Sequence, residues 1–279
     1  MMTITKEMLD DYRTCLRNEE RCGATIEKYM HDLTDFAVWL GDRELSKEQT
    51  ATWKNVLAQS GIKPETVNGK LSALNGFLSH LDLLVCRVKL LKVQRKLFRD
   101  QSKELSRQEY DLLVAKAKEL GKHRLALLLE TICGTGIRVS EVRYITVEAA
   151  EQGRAEISLK GKIRVILLPG KLCRKLKKLA KKLGITTGEI FLTRTGRRLG
   201  RTQIWREMKA LCKKAGVEES KVFPHNLRHL FARTYYRASR DIVRLADILG
   251  HSSVETTRIY LIGTGLEHVR EMERLGLIS

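Results

Sequence analysis

The chain has 279 residues, enough for two domains of ordinary size that each bury a core of their own. Apolar residues make up 43% and charged residues 30%, no run approaches the roughly 20 apolar residues of a membrane span, and the N-terminus MMTITKEMLDDYRT lacks the apolar segment of a signal peptide, so the composition points to a soluble, cytoplasmic protein. Lys and Arg together number 52 against 33 acids, a net charge of +19 that favours a polyanionic partner.

The first hundred residues read as a small helical bundle. In TIEKYMHDLTDFAVWL the apolar residues Ile26, Tyr29, Leu33, Phe36 and Leu40 recur at three- and four-residue steps, and Gly41 is a suitable stop. SKEQTATWKNVLAQSG and PETVNGKLSALNGFLSHL follow as helices, with Ser46 capping the first and Pro64 in the first turn of the second. Residues 86–104 are basic and loosely periodic and suit a linker between a domain at 1–85 and one at 105–279. The second domain opens on a capping-box pattern at Ser106 and Glu109.

A buried-looking helix RLALLLETI runs into the turn CGTGIR and a short helix SEVRYI. AEISLKGKIRVILLP holds two β-branched runs parted by Lys160, Gly161 and Lys162, a short antiparallel hairpin and the clearest sheet signal in the chain. Helices return in KLCRKLKKLAKKL, RTQIWREMKALCKKAG, PHNLRHLFARTYYRA, DIVRLADILG, SVETTRIYLI and LEHVREMERLG. The first of these carries an apolar stripe, Leu172, Leu176, Leu179 and Leu183, so its lysines are equally a solvated face or DNA contacts. The charge surplus is uneven: residues 1–99 carry 16 basic and 13 acidic side chains, residues 100–279 carry 36 and 20.

Six cysteines are scattered without a CxxC pair, as reduced, buried thiols would be. His225 and His229 stand four apart on one helix, but Asn226 rather than a glutamate follows His225 and no further ligands stand at metal spacing, so no metal is expected. Arg138 follows a glycine turn at a helix start, where a guanidinium and free N–H groups can face an anion, and Arg228 lies one turn after His225.

Taken in order, GTGIRVSEV, SLKGKIRV, PHNLRHLFA and LGHSSVETTRIY resemble the four motifs of the tyrosine recombinases, also called the phage integrase family. The resemblance implies a mainly α two-domain DNA clamp: a helical, SAM-like core-binding domain and a mixed α/β catalytic domain with a small antiparallel sheet. It implies a site-specific recombinase that cleaves and rejoins DNA through a 3′-phosphotyrosine, with neither metal nor ATP. It assigns Tyr260 as nucleophile, Arg138 and Arg228 to the phosphate, Lys160 as general acid, His225 as base or proton partner and His251 as a phosphate hydrogen bond, braced by Glu141 and His229. The hairpin is shorter than the family's usual form, which leaves Lys162 as the alternative acid, and which histidine moves the proton stays open. A type IB topoisomerase shares this chemistry, and a DNA-binding protein with a dead site is the non-enzymatic rival; the small helical first domain and the complete residue set favour a recombinase. Lys89, Lys92, Arg95, Lys96, Arg99 and Lys162 are the expected further DNA contacts. The tail 263–279 is expected to join neighbouring subunits in a tetramer on paired DNA sites.

Overall fold

The computed structural model describes residues 3–93, 101–159, 162–260 and 272–277. The chain divides into two compact units, Met1–Arg95 and Lys96–Ser279. Among the described residues no helix is long and apolar enough to cross a membrane.

The first unit packs four helices: α1 (Lys6–Asn18), α2 (Gly23–Leu40), α3 (Lys47–Gln59) and α4 (Pro64–His80). Their ends follow local chemistry: the Ser46 side chain accepts from the Gln49 N–H at 3.3 Å, Pro64 stands in the first turn of α4, and Gly41 closes α2 at φ 57°. Ile26, Leu33, Phe36 and Leu40 of α2 are buried as the periodicity requires, whereas Tyr29 is only partly buried and Met30 fills the core beside them. Phe36 meets Trp53 with ring centres 4.8 Å apart, tying α2 to α3. Asp32, buried on α2, is satisfied by Lys28 at 2.6 Å and by Lys70 of α4 at 3.2 Å.

Residues 86–91, expected to begin a linker, are instead fastened to this unit. Cys86 and Val88 are buried in its core. Asn75 accepts from the Val88 N–H at 2.9 Å and donates to its carbonyl at 2.8 Å; Asn68 does the same for Leu91 at 2.7 and 3.0 Å. Two side-chain amides thus pair with the extended backbone as a neighbouring strand would, satisfying groups that a free linker would leave to water.

The second unit is built on α5 (Arg107–Glu119), α6 (His123–Thr135), α7 (Val147–Gln152), the strands β1 (Arg154–Leu159) and β2 (Lys162–Leu167), then α8 (Gly170–Lys182), α9 (Arg201–Ala215), α10 (Pro224–Ser239), α11 (Ile242–Leu249) and α12 (Val254–Arg258). The capping box forms: Ser106 and Glu109 exchange backbone-to-side-chain bonds at 2.8 and 3.1 Å. The strands pair antiparallel from Arg154 with Leu167 to Leu159 with Lys162, so Lys162 belongs to β2, and SEVRYI takes a 3-10 form over Val139–Tyr144. Leu172, Leu176 and Leu179 of α8 are buried, but Leu183, expected in the same stripe, lies past the helix end and is half exposed. The helix LEHVREMERLG falls largely outside the described residues.

The main core gathers α5 to α9 and the inner faces of the hairpin, through residues such as Leu113, Leu128, Ile132, Ile157, Leu176 and Ile204. A smaller cluster of Ala232, Leu245, Leu249 and Tyr260 packs α10 against α11 and the turn after α12.

Candidate active site

The end of α6 sets the first side of the site. Gly136 closes that helix in the left-handed region, φ 67°, and a Cβ there would lie 2.4 Å from the Phe231 ring, so both backbone and packing demand glycine. The chain then turns outward and presents Arg138, whose side chain is 42% exposed and donates through Nη1 to Glu141 Oε1 at 3.0 Å. Glu141 is buried and also accepts the Arg138 backbone N–H at 2.7 Å.

α10 supplies the second side. Pro224 starts it, and Asn226, which stands where a metalloprotease would carry glutamate, donates to the carbonyls of Lys103 at 2.8 Å and Lys221 at 2.7 Å. One turn on, Arg228 is 1% exposed. Its guanidinium donates from Nη1 to the Gly136 carbonyl at 2.5 Å, from Nη2 to the Leu249 carbonyl at 2.8 Å and to His251 Nε2 at 2.8 Å, and from Nε to Tyr260 Oη at 3.3 Å. The fork expected to face a phosphate is therefore directed inward, onto the turn and the tyrosine. Burial pulls the Arg228 guanidinium below its usual range, against the pull of Tyr260.

The turn after α11 and the end of α12 complete the group. Tyr260 is buried at 6% exposure, its ring stacked on His251 with centres 5.6 Å apart at 8°. His229 meets the same ring edge-on at 4.4 Å, and His225 lies at 5.9 Å, with the two histidines 4.6 Å apart. Both imidazoles the motifs single out are pushed toward neutrality: His251 to about 4 and His225 to below its ordinary value, by burial first and then by Arg228 and Arg138. Arg228 and Arg138 give this cluster of side chains its positive surroundings.

Five of the six residues singled out, Arg138, His225, Arg228, His251 and Tyr260, thus come from four separate segments to one place, while Lys160 lies outside the described residues. Lys89 and Lys92 are exposed; Arg95, Lys96 and Arg99 lie outside the described residues, as does the tail 263–279 apart from 272–277. Sequence reasoning missed Arg164. From β2 it donates through Nη2 to Glu141 Oε2 at 2.5 Å and through Nη1 to the carbonyls of Leu249 and, at 3.4 Å, Ile248. Its side chain is 14% exposed, and the only sequence signal was its place on the hairpin motif.

Residues 103–263 match the family described as the phage integrase family. A tyrosine recombinase XerC from Roseiflexus castenholzii is 33% identical over 152 residues, which are 50% of this chain and 47% of that protein. A tyrosine recombinase XerA from Thermococcus kodakarensis is 29% identical over 280 residues, covering 98% and 96%. Among solved structures, the XerH site-specific recombinase bound to palindromic difH substrate in a post-cleavage complex superposes with a TM-score of 0.73 at 20% identity, over 98% of this chain and 84% of that one, a likeness of fold.

Proposed function

This chain belongs to the phage integrase family, and from that premise we propose that it is a site-specific recombinase that cleaves and rejoins double-stranded DNA through a covalent tyrosyl intermediate. One observation carries the reading: the hydroxyl of Tyr260, on the motif LGHSSVETTRIY, accepts a hydrogen bond from a buried arginine that also holds His251.

In the proposed reaction Tyr260 Oη attacks the scissile phosphorus, the bond from phosphorus to the 5′ oxygen breaks, and the DNA is left joined as a 3′-phosphotyrosine. The departing oxygen takes a proton from Lys160, with Lys162 as the alternative donor. His225, held toward the neutral form by burial and then by its cationic neighbours, can accept the phenolic proton. Arg138, half out of the surface, and Arg228, once the phosphate replaces Tyr260 and His251 as its partners, neutralise the nonbridging oxygens. The ester energy is retained in the new bond, so a 5′-hydroxyl from a second DNA end reverses the step onto a new partner with no nucleotide cofactor.

The finer reading adds a tetramer assembled on paired sites through the tail 263–279, DNA contacts from the basic segment with Lys89 and Lys92, and action in the cytoplasm on integrating or excising elements. The test is a labelled duplex with a nick beside the cleavage point, which traps the covalent joint. The wild type is expected to give a protein–DNA adduct resistant to denaturant and Tyr260→Phe to bind the same duplex without one. A persistent adduct in Tyr260→Phe would move the nucleophile elsewhere, first to Tyr235 or Tyr236.

A further inference from the structure

We propose that Arg164 is a positioning residue of this site: a buried counter-ion to Glu141 that leaves the charge of Arg138 available to the phosphate, and a strut that fixes the turn carrying His251. The inference rests on the cleavage reading above, and it concerns how the two exposed and buried arginines are kept usable.

The argument starts from charge. Glu141 is 2% exposed and touches two guanidiniums, Arg138 through Oε1 and Arg164 through Oε2. A buried carboxylate must be neutralised. Were Arg164 absent, Arg138 would be its sole cationic partner among these contacts and would be drawn inward as a structural ion pair. With Arg164 taking that part at 2.5 Å, Arg138 is held by one edge and keeps the rest of its fork outward, with 42% of its side chain exposed.

Geometry supplies the second half. The Leu249 carbonyl accepts from both Arg164 and Arg228, so one backbone atom links the hairpin to the buried arginine that holds His251 and Tyr260. The next residue, Gly250, has φ 64°, and a Cβ on it would stand 2.4 Å from Arg164 Cδ. Glycine is required there twice, by the left-handed backbone that ends α11 and by the arginine lying against it.

A plain stabilising pair explains this poorly. A buried ion pair seldom adds net stability over apolar residues of similar size. Arg164 Nε, moreover, is buried with no hydrogen-bond partner among the described residues, a cost that a pair selected for stability would avoid.

The experiment uses the full chain and its nicked duplex, with Arg164→Met, Glu141→Gln and the double variant, which removes both charges of the buried pair together. DNA affinity, melting temperature and the single-turnover rate of adduct formation at saturating DNA are read for each, on a normal scissile phosphate and on a methylphosphonate, which has lost one nonbridging charge. Arg164→Met is expected to slow adduct formation by roughly 10- to 100-fold with little change in affinity, as loss of a supporting contact does. That deficit should shrink on the neutral substrate, where the charge on Arg138 is no longer needed, and Glu141→Gln should restore part of the rate on the normal one. A rate near wild type in Arg164→Met, or an equal deficit on both substrates that Glu141→Gln fails to relieve, would reduce the residue to a packing role. A wild-type protein forming no adduct at all would instead sink the cleavage reading, so the two failures are distinguishable.

Discussion

His251 has a proton state that its neighbours dictate. Arg228 can only donate, so the 2.8 Å contact from Nη2 makes His251 Nε2 an acceptor, and the neutral ring must carry its proton on Nδ1, which donates to Thr257 Oγ1 at 2.8 Å. Burial first, and then the second positive charge that protonating Nε2 would set against the guanidinium, bring the pKa down to about 4. The folded value lies below the unfolded one of about 6.5, so the folded protein binds fewer protons between them. The stability this histidine contributes is therefore full above about pH 6.5 and is lost as pH falls toward 4. Nitrogen-detected NMR of labelled histidine should find the Nδ1–H tautomer in free protein, neutral until about pH 4, and a bound DNA phosphate should raise the value by adding a negative charge. A His251 titrating near 6.5 in the free protein would remove the Arg228 contact from this account.

Elements are held here partly by side chains that imitate backbone. Asn75 and Asn68 each make a paired donor and acceptor contact to the 86–91 segment, so Asn75→Ala is expected to lose about 1–3 kcal/mol for two hydrogen bonds and to expose the Val88 amide to rapid hydrogen exchange. Unchanged protection at Val88 would show that burial of Cys86 and Val88 alone holds the segment. The same contrast explains what the sequence made legible. Ser46, Pro64, the Ser106–Glu109 box and Pro224 mark helix starts because a cap involves residues only a few positions apart, and the site motifs carry their own spacing. The seating of 86–91 depends on amides 13 and 23 residues away, and an asparagine in a helix gives no sign that it faces a strand. Arg164 is harder still: its alternation with Ile163 and Val165 reads as a solvent-facing strand position, while its partners Glu141 and Leu249 are 23 and 85 residues distant. The inward direction of Arg228 was likewise hidden, since helical spacing gives a side chain's face but not the carbonyls waiting there.

At the scale of the molecule, the candidate site and most of the charge surplus reside in one unit. Every described residue of the candidate site lies in Lys96–Ser279, that unit has its own core from Leu105 to Leu230, and residues 100–279 carry 36 of the basic side chains against 20 acids. Within it helix α10, which carries His225 and Arg228, is bolted to the segment where the unit begins: Asn226 donates to the Lys103 carbonyl, and Arg233 pairs with Glu104 and donates to the Leu105 carbonyl at 2.9 Å. A fragment of residues 101–279 retains all of these contacts, so it is expected to unfold cooperatively by itself and to form the Tyr260 adduct on the nicked duplex. A fragment starting at residue 107 loses them, and its α10 should be less stable. Binding by the longer fragment should weaken steeply with salt, because each phosphate it neutralises adds about −0.9 to the slope of log affinity against log salt concentration. The full chain should bind more tightly and show a steeper slope, to the extent that Lys89, Lys92 and their basic neighbours also meet phosphates. A cooperatively folded 101–279 fragment that bound DNA but formed no adduct would mean that the first unit contributes to the chemistry itself, and the self-contained site would have to be abandoned.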